Sequence, residues 1–183
     1  MKKVDKSSFN NEWYDPGRSR LIQIVWYYIN SLVFNSYFFP FYTFKRWILR
    51  QFGATIGKRF LIKPKVNIKY PWKLVCGDYV SLGENVWLDN LDTIRLDDNV
   101  TISQGAYLFC GNHNYKSSSF DLQVKPIHLE EGVWIGAKSI VCPGVVAKSH
   151  SVLAVNSVAL KDMEPFSIYQ GNPAVKKRER EII

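Results

Sequence analysis

Imidazoles and thiols, the side chains that ordinarily ionise closest to neutrality, are few in this 183-residue sequence: three histidines, His113, His128 and His150, and three cysteines, Cys76, Cys110 and Cys142. The stretch CGNHNY, Cys110 to Tyr115, places one of each kind three positions apart. An imidazole, with an ordinary pKa near ~6.5, can be neutral and accept a proton. An alcohol is a poor nucleophile until such a base takes its proton. Cys110 beside His113 could instead support a covalent step, but only as a thiolate, and nothing local lowers its pKa. Three histidines could also bind one metal ion, as zinc enzymes require. Here they fall at different phases of the surrounding repeat, so convergence on one ion is not expected.

That repeat is the element that must position them. From Ile56 onward, apolar residues recur every six positions: Ile56, Ile62 and Ile68; Cys76, Leu82 and Leu88; then, after a shift of two, Leu96, Ile102 and Leu108. The later run is Leu129, Ile135, Val141, Ala147, Leu153 and Ala159. The fifth position of each late hexad is small or apolar: Val133, Ser139, Val145, Ser151, Ser157 and Met163. The fourth holds Asn85, Asn99, Gly105, Gly132, Gly144, His150 and Asn156, types that tolerate or favour positive φ. Short walls joined by left-handed corners make a solenoid in which each coil buries the next. A helix would need a period of 3.6, which is absent. Between Leu108 and Leu129 the beat is lost, which predicts a loop over about 111–127 with His113 at its base. Asp89, Asn90 and Asp92 stand where the beat slips; they read either as polar turn residues or as a cluster able to bond sugar hydroxyls.

Residues 1–52 read as a separate aromatic and basic helical segment, 53–175 as the solenoid, and 176–183, containing KKRER, as a basic tail. From Leu21 to Phe44 no residue is charged, while Arg18, Arg20, Lys45, Arg46 and Arg50 flank the run. Pro40 and several amides interrupt it, which predicts two short helical pieces rather than one span. Their aromatic faces either pack on the solenoid or lie at an anionic membrane surface. The hydrophobic share of 46% and charged share of 22% describe a folded chain. The odd cysteine count suits a reducing compartment. No apolar leader followed by a cleavage site is visible, so a cytoplasmic location is expected, with the inner face of the membrane as a place of contact. The net charge of +8 favours anionic partners. No nucleic-acid-binding motif accompanies it.

The segment VWIGAKSIVCPGVVAKSHSVLAVNSVALKDM, with GNPA after it, resembles the hexapeptide-repeat acyltransferases. The aromatic N-terminus and NHNY are most similar to the colanic-acid-type O-acetyltransferases, with maltose and galactoside acetyltransferases as cousins. The resemblance implies a left-handed parallel β-helix and transfer of an acetyl group from acetyl-CoA to a saccharide hydroxyl, without metal. By it His113 is the general base, the Ala137 backbone N–H the oxyanion donor, and Trp134 an aromatic lining the site. Coenzyme A would lie along Ala137, Val155, Leu160 and Lys161, with Arg178 near its phosphates. Val175 stands where a basic residue is usual after GNPA, and Lys176 or Lys177 is a candidate substitute. The cousins' acceptor asparagine and aspartate align with Gly83 and Leu91, which leaves Asp89, Asn90 and Asp92 as the acceptor candidates. Family members form homotrimers with sites between subunits. The rival expectations are a non-catalytic trimeric membrane-associated scaffold and a metal-dependent carbonic anhydrase-like protein on the same solenoid.

Overall fold

The computed structural model describes residues 3–183. The hexads fold as a parallel β-solenoid of about 6 turns. Most coils have three walls of two or three residues. The first face stacks Thr55–Ile56, Leu74–Cys76, Ile94–Leu96, Ile127–Leu129 and Val146–Ala147. The second stacks Leu61–Ile62, Ser81–Leu82, Thr101–Ile102, Trp134–Ile135, Val152–Leu153 and Ser167–Gln170. The third stacks Asn67–Ile68, Trp87–Asp89, Tyr107–Phe109, Ile140–Val141 and Val158–Ala159. Pairing is in register from coil to coil, so Ile56 sits on Cys76, and Cys76 on Leu96.

The repeat fixes what is inside. Leu129, Ile135, Val141, Ala147, Leu153 and Ala159 are all buried, and so are the fifth-position residues from Val133 to Met163. Two of the inward serines find an acceptor: Ser139 Oγ donates to the Ala154 carbonyl at 2.7 Å and Ser157 Oγ to the Val155 carbonyl at 3.3 Å, whereas the buried Ser151 Oγ has no partner among the described residues. The fourth positions turn the corners in the left-handed region, from φ 55° at Asn156 to 85° at Gly144. Gly136 answers a different demand. A Cβ there would lie 2.6 Å from the Val155 nitrogen, so the next coil approaches only because none is present.

Two helices near the N-terminus close the start of the stack. Helix α1, Arg20–Ile29, runs into a wider π-type turn over Asn30–Phe34, and α2 spans Tyr42–Gln51. Pro40 lies between them. The turn meets the third-face strand of the first coil, and α2 meets its other two strands. Trp26, Phe34, Ile48 and Leu49 are buried in this contact. The Trp26 indole packs 5.2 Å from both the Phe34 and Phe52 rings and donates to the Ile68 carbonyl at 2.8 Å. Burying a side chain of that size contributes roughly 2–3 kcal/mol. One side of the helical segment thus packs on the solenoid, while Leu21, Ile24, Tyr28, Leu32, Phe38, Phe41 and Trp47 face outward. No described helix is long and apolar enough to cross a membrane.

The C-terminus differs from the expected tail. Val175–Glu179 forms a strand paired antiparallel with Ser167–Gln170. Its alternating side chains leave the backbone free to extend the second face by one more strand.

Candidate active site

The lost beat after Leu108 becomes a β-hairpin rather than an irregular loop. Gly111–His113 pairs antiparallel with Leu122–Val124, His113 opposite Leu122. The hairpin leaves after the third-face strand Tyr107–Phe109 and returns into the first-face strand Ile127–Leu129, so it stands on the corner between those faces. Asp121 braces its tip. Hydrogen bonds from Ser119 and Ser117 hold that carboxyl below the usual carboxylate value.

His113 is half-buried in this hairpin. Its Nδ1 lies 2.9 Å from the Phe120 carbonyl oxygen, and the two rings stack at 4.5 Å and 8°. A carbonyl can only accept, so Nδ1 carries the proton, and in the neutral ring Nε2 keeps a free lone pair. That is the arrangement a general base needs. Phe120 itself has φ 55°, a conformation uncommon for a large side chain, and it turns the backbone where the carbonyl meets the ring. The N-terminal segment completes the surroundings. Asp5 N–H donates to the Ser118 carbonyl at 2.8 Å. Phe9 lies 6.0 Å from the imidazole, and the Lys6 ammonium is 5.4 Å from the Phe120 ring centre. Lys6, Phe9, His113 and Phe120 line an open pocket of about 290 Å³. Nothing in the spacing of Lys6, Phe9 and Phe120 pointed to this neighbourhood.

The rival chemistries meet different surroundings. Cys110 is fully buried, and desolvation pushes its thiol up to about 12, so it does not supply a thiolate nucleophile near neutrality. His128 Nε2 lies 2.7 Å from Asp97 on the first face, and His150 Nδ1 lies 2.8 Å from the Glu131 carbonyl at a corner. The three histidines therefore have three separate partners. Among the described residues no group of three or more His, Cys, Asp or Glu side chains is placed to hold a metal ion.

The acceptor candidates divide. Asn90 is fully buried, and its amide closes on the Tyr70 backbone, accepting from the N–H at 2.9 Å and donating to the carbonyl at 2.6 Å. That commits Asn90 to the scaffold. Asp89 pairs with Lys69 at 2.9 Å and accepts from the Tyr107 hydroxyl at 3.3 Å. Asp92 caps the Thr93 N–H at 2.6 Å and keeps partial exposure. Tyr14, from the N-terminal segment, donates to the Leu91 carbonyl at 2.7 Å at the same corner, and burial raises its hydroxyl pKa well above the ordinary phenol value.

The remaining candidates lie on another side. Trp134 is exposed on the second face, its indole N–H donating to Ser103 Oγ at 2.9 Å. Ala137 turns the corner between second and third faces. The N–H groups of Gly136 and Lys138 are spent on Leu153 and Gln104 carbonyls, whereas the Ala137 N–H has no backbone acceptor among the described residues. The exposed Val155 sits one coil above, next to the Asn156 N–H that donates to the Ala137 carbonyl at 2.9 Å. Lys177 and Arg178 lie exposed on the added strand of the second face. Leu160 and Lys161 are exposed just beyond the third-face strand Val158–Ala159. One chain therefore carries two groups: His113, Asp89, Asp92, Leu160 and Lys161 toward the third–first corner, and Trp134, Ala137, Val155, Lys177 and Arg178 on or beside the second face.

No family model matches the chain. It is 36% identical over 156 residues to WcaF of Escherichia coli K12, assigned as a colanic acid biosynthesis acetyltransferase, covering 85% of this chain and 86% of that protein. It is 25% identical over 135 residues to the galactoside O-acetyltransferase of the same organism, covering 72% of this chain and 66% of that protein. The fold matches the hexapeptide-repeat containing acetyltransferase VCA0836 of Vibrio cholerae, solved with acetyl-CoA, at TM-score 0.81 and 20% identity, over 92% of this chain and 93% of that one. With this repeat, this solenoid and these relatives, the chain belongs to the hexapeptide-repeat acetyltransferases.

Proposed function

We propose that the protein moves an acetyl group from acetyl-CoA onto a hydroxyl of a saccharide, a precursor of an exopolysaccharide or capsule. The observation that carries this reading is His113, whose Nδ1 proton is committed to the Phe120 carbonyl so that Nε2 is the free base. In the reaction Nε2 takes the proton from the acceptor hydroxyl as its oxygen attacks the thioester carbonyl. The Ala137 N–H donates to the oxyanion that develops. As the tetrahedral species collapses, the carbon–sulfur bond breaks, and the imidazolium returns its proton to the leaving thiolate. The exposed apolar side chains of Val155 and Leu160 suit a pantetheine arm. Lys161, Lys177 and Arg178 suit phosphates as charge-assisted donors. Asp89 and Asp92 remain as acceptor contacts.

The two separated groups of candidates support a site formed between copies. In a homotrimer the hairpin of one subunit would reach the second face of the next, bringing His113 to Trp134 and Ala137. The enzyme works in the cytoplasm, in peripheral contact with the inner face of the membrane. The test is acetyl-CoA turnover against a panel of oligosaccharides. His113→Ala should lower kcat by roughly 10²–10⁴-fold with coenzyme A affinity nearly unchanged. Wild-type-like turnover by the variant would refute His113 as the base. A protein that neither binds coenzyme A nor turns over would be the scaffold instead.

A further inference from the structure

The charges of this chain are divided along the solenoid. Residues 16–77 carry eleven basic side chains and no acidic one, although the whole chain is only +8, so the remainder is at net −3. The basic stretch covers α1, α2 and the first coil, which is the start of the stack. The same end holds a continuous aromatic surface. Phe39 stacks on Phe44 at 6.4 Å and Phe44 on Trp47 at 6.0 Å. Phe38, Phe41 and Trp47 are 89%, 66% and 55% exposed. Basic side chains border these rings. Lys65 and Lys63 lie 4.8 and 5.9 Å from the ring centres of Tyr37 and Tyr42, and Arg46 is bonded to Thr43 on α2.

Aromatic rings in this number do not stay in water without reason, since exposed apolar patches mark contact surfaces. A second copy is a poor occupant, because joining two such faces would bring like charges together without an acidic group to offset them. An anionic bilayer fits both properties. The rings suit the boundary between headgroups and acyl chains, and the lysines and arginines suit lipid phosphate. No described helix spans, so the contact would be peripheral.

We propose that the outer side of α2, with the turn from Tyr37 to Phe41 before it, is the surface on which the protein docks to an anionic lipid bilayer, start of the solenoid first. Phe38, Phe41, Phe44 and Trp47 enter the interface, and Arg46, Lys63 and Lys65 meet the phosphates around them. The inference rests on the membrane contact proposed above and names its place. It leaves the chemistry of His113 untouched.

The probe is sedimentation with sucrose-loaded vesicles of phosphatidylcholine, with and without about 30% phosphatidylglycerol. The wild-type protein should bind only the anionic vesicles, and binding should weaken as salt rises from about 50 to about 500 mM. Phe38→Ser/Phe41→Ser/Trp47→Ser should reduce partitioning at least about tenfold. Lys63→Gln/Lys65→Gln should reduce it roughly 25-fold, at about fivefold per charge. Both variants should keep the wild-type melting curve, molar mass and turnover of a soluble saccharide. Absence of wild-type binding at low salt would overturn the proposal, as would variants that bind like wild type. A lower molar mass in the aromatic variant, with no lipid binding by wild type, would make this face a contact between copies. Turnover is read separately, so failure here does not count against acetyl transfer.

Discussion

Asn90 offers a direct separation of scaffold from acceptor site. In the structure its amide is fully buried and makes two hydrogen bonds to the Tyr70 backbone, at 2.9 and 2.6 Å. Asn90→Ala removes both partners and leaves one N–H and one carbonyl unpaired. Each orphaned group costs about 1–3 kcal/mol when water is excluded. Tyr70 is only half-buried, so water recovers part of this and the sum is held to about 2–4 kcal/mol. For a chain of this size that corresponds to a melting point lower by about 4–16 °C. Asn90→Asp keeps the acceptor oxygen but turns a carboxylate oxygen toward the Tyr70 carbonyl in a buried place, so it should cost at least as much. The assay is thermal unfolding followed by circular dichroism, beside acceptor KM measured well below the melting range. The acceptor KM of Asn90→Ala should stay within about twofold, since an interaction absent from the complex contributes nothing to it. A variant that melts like wild type while its acceptor KM rises tenfold would refute this and return Asn90 to the acceptor site.

Lys45 is fully buried on α2, its ammonium finds no hydrogen-bond partner among the described residues, and it lies 5.7 Å from the Phe34 ring. Lys45→Met should therefore stabilise the fold by about 1–3 kcal/mol, read as a higher midpoint in urea. Burial holds the Lys45 pKa below its ordinary 10.5, so the unfolded chain binds that proton more tightly. The penalty is full below the folded value and fades as pH rises toward the ordinary one, so the gap between Lys45→Met and wild type should narrow in alkali. Cys110→Ala should retain at least about half of wild-type kcat, because its buried thiol serves no covalent step. Wild-type protein should also react slowly at Cys110 with iodoacetamide, checked by mass spectrometry. Phe120→Ala keeps the carbonyl but removes the stacked ring, and should lower kcat roughly tenfold through looser aim of the imidazole.

The hexad made most of the scaffold readable. Its first and fifth positions give the interior, because an inward side chain must be small or apolar to fit between coils. Its fourth positions give the corners wherever they hold Gly, Asn or His. The same backbone conformation occurs at Arg59, Lys65, Tyr79 and Lys138, with φ between 50° and 59°. No residue-type signal marks these, since the ladder above and below imposes the turn on whatever side chain is present. His113 stood out because it sits where the beat stops. The contacts that orient it did not, for Phe9 is more than a hundred residues away and Phe120 lies across a hairpin whose pairing has no strong pattern. Asn90 was open to two readings for a related reason: a polar type in a polar run says nothing of which way its amide faces. The paired strand at Val175–Glu179 was hidden by its charge.

The hairpin that carries His113 has a closed neck. The Lys125 N–H donates to the Cys110 carbonyl at 2.9 Å, and beneath it Ile127–Leu129 pairs with Ile94–Leu96 as though nothing intervened. Chain length between those two residues is thus decoupled from the rungs on either side. Loop closure grows only slowly more costly with length. An interchangeable cassette has been fitted to a fixed rack. Lengthening or shortening the tip of this hairpin, with His113 and Phe120 kept in place, would change what approaches the imidazole while the stack keeps its spacing, a route to new acceptors that leaves the scaffold's own folding intact.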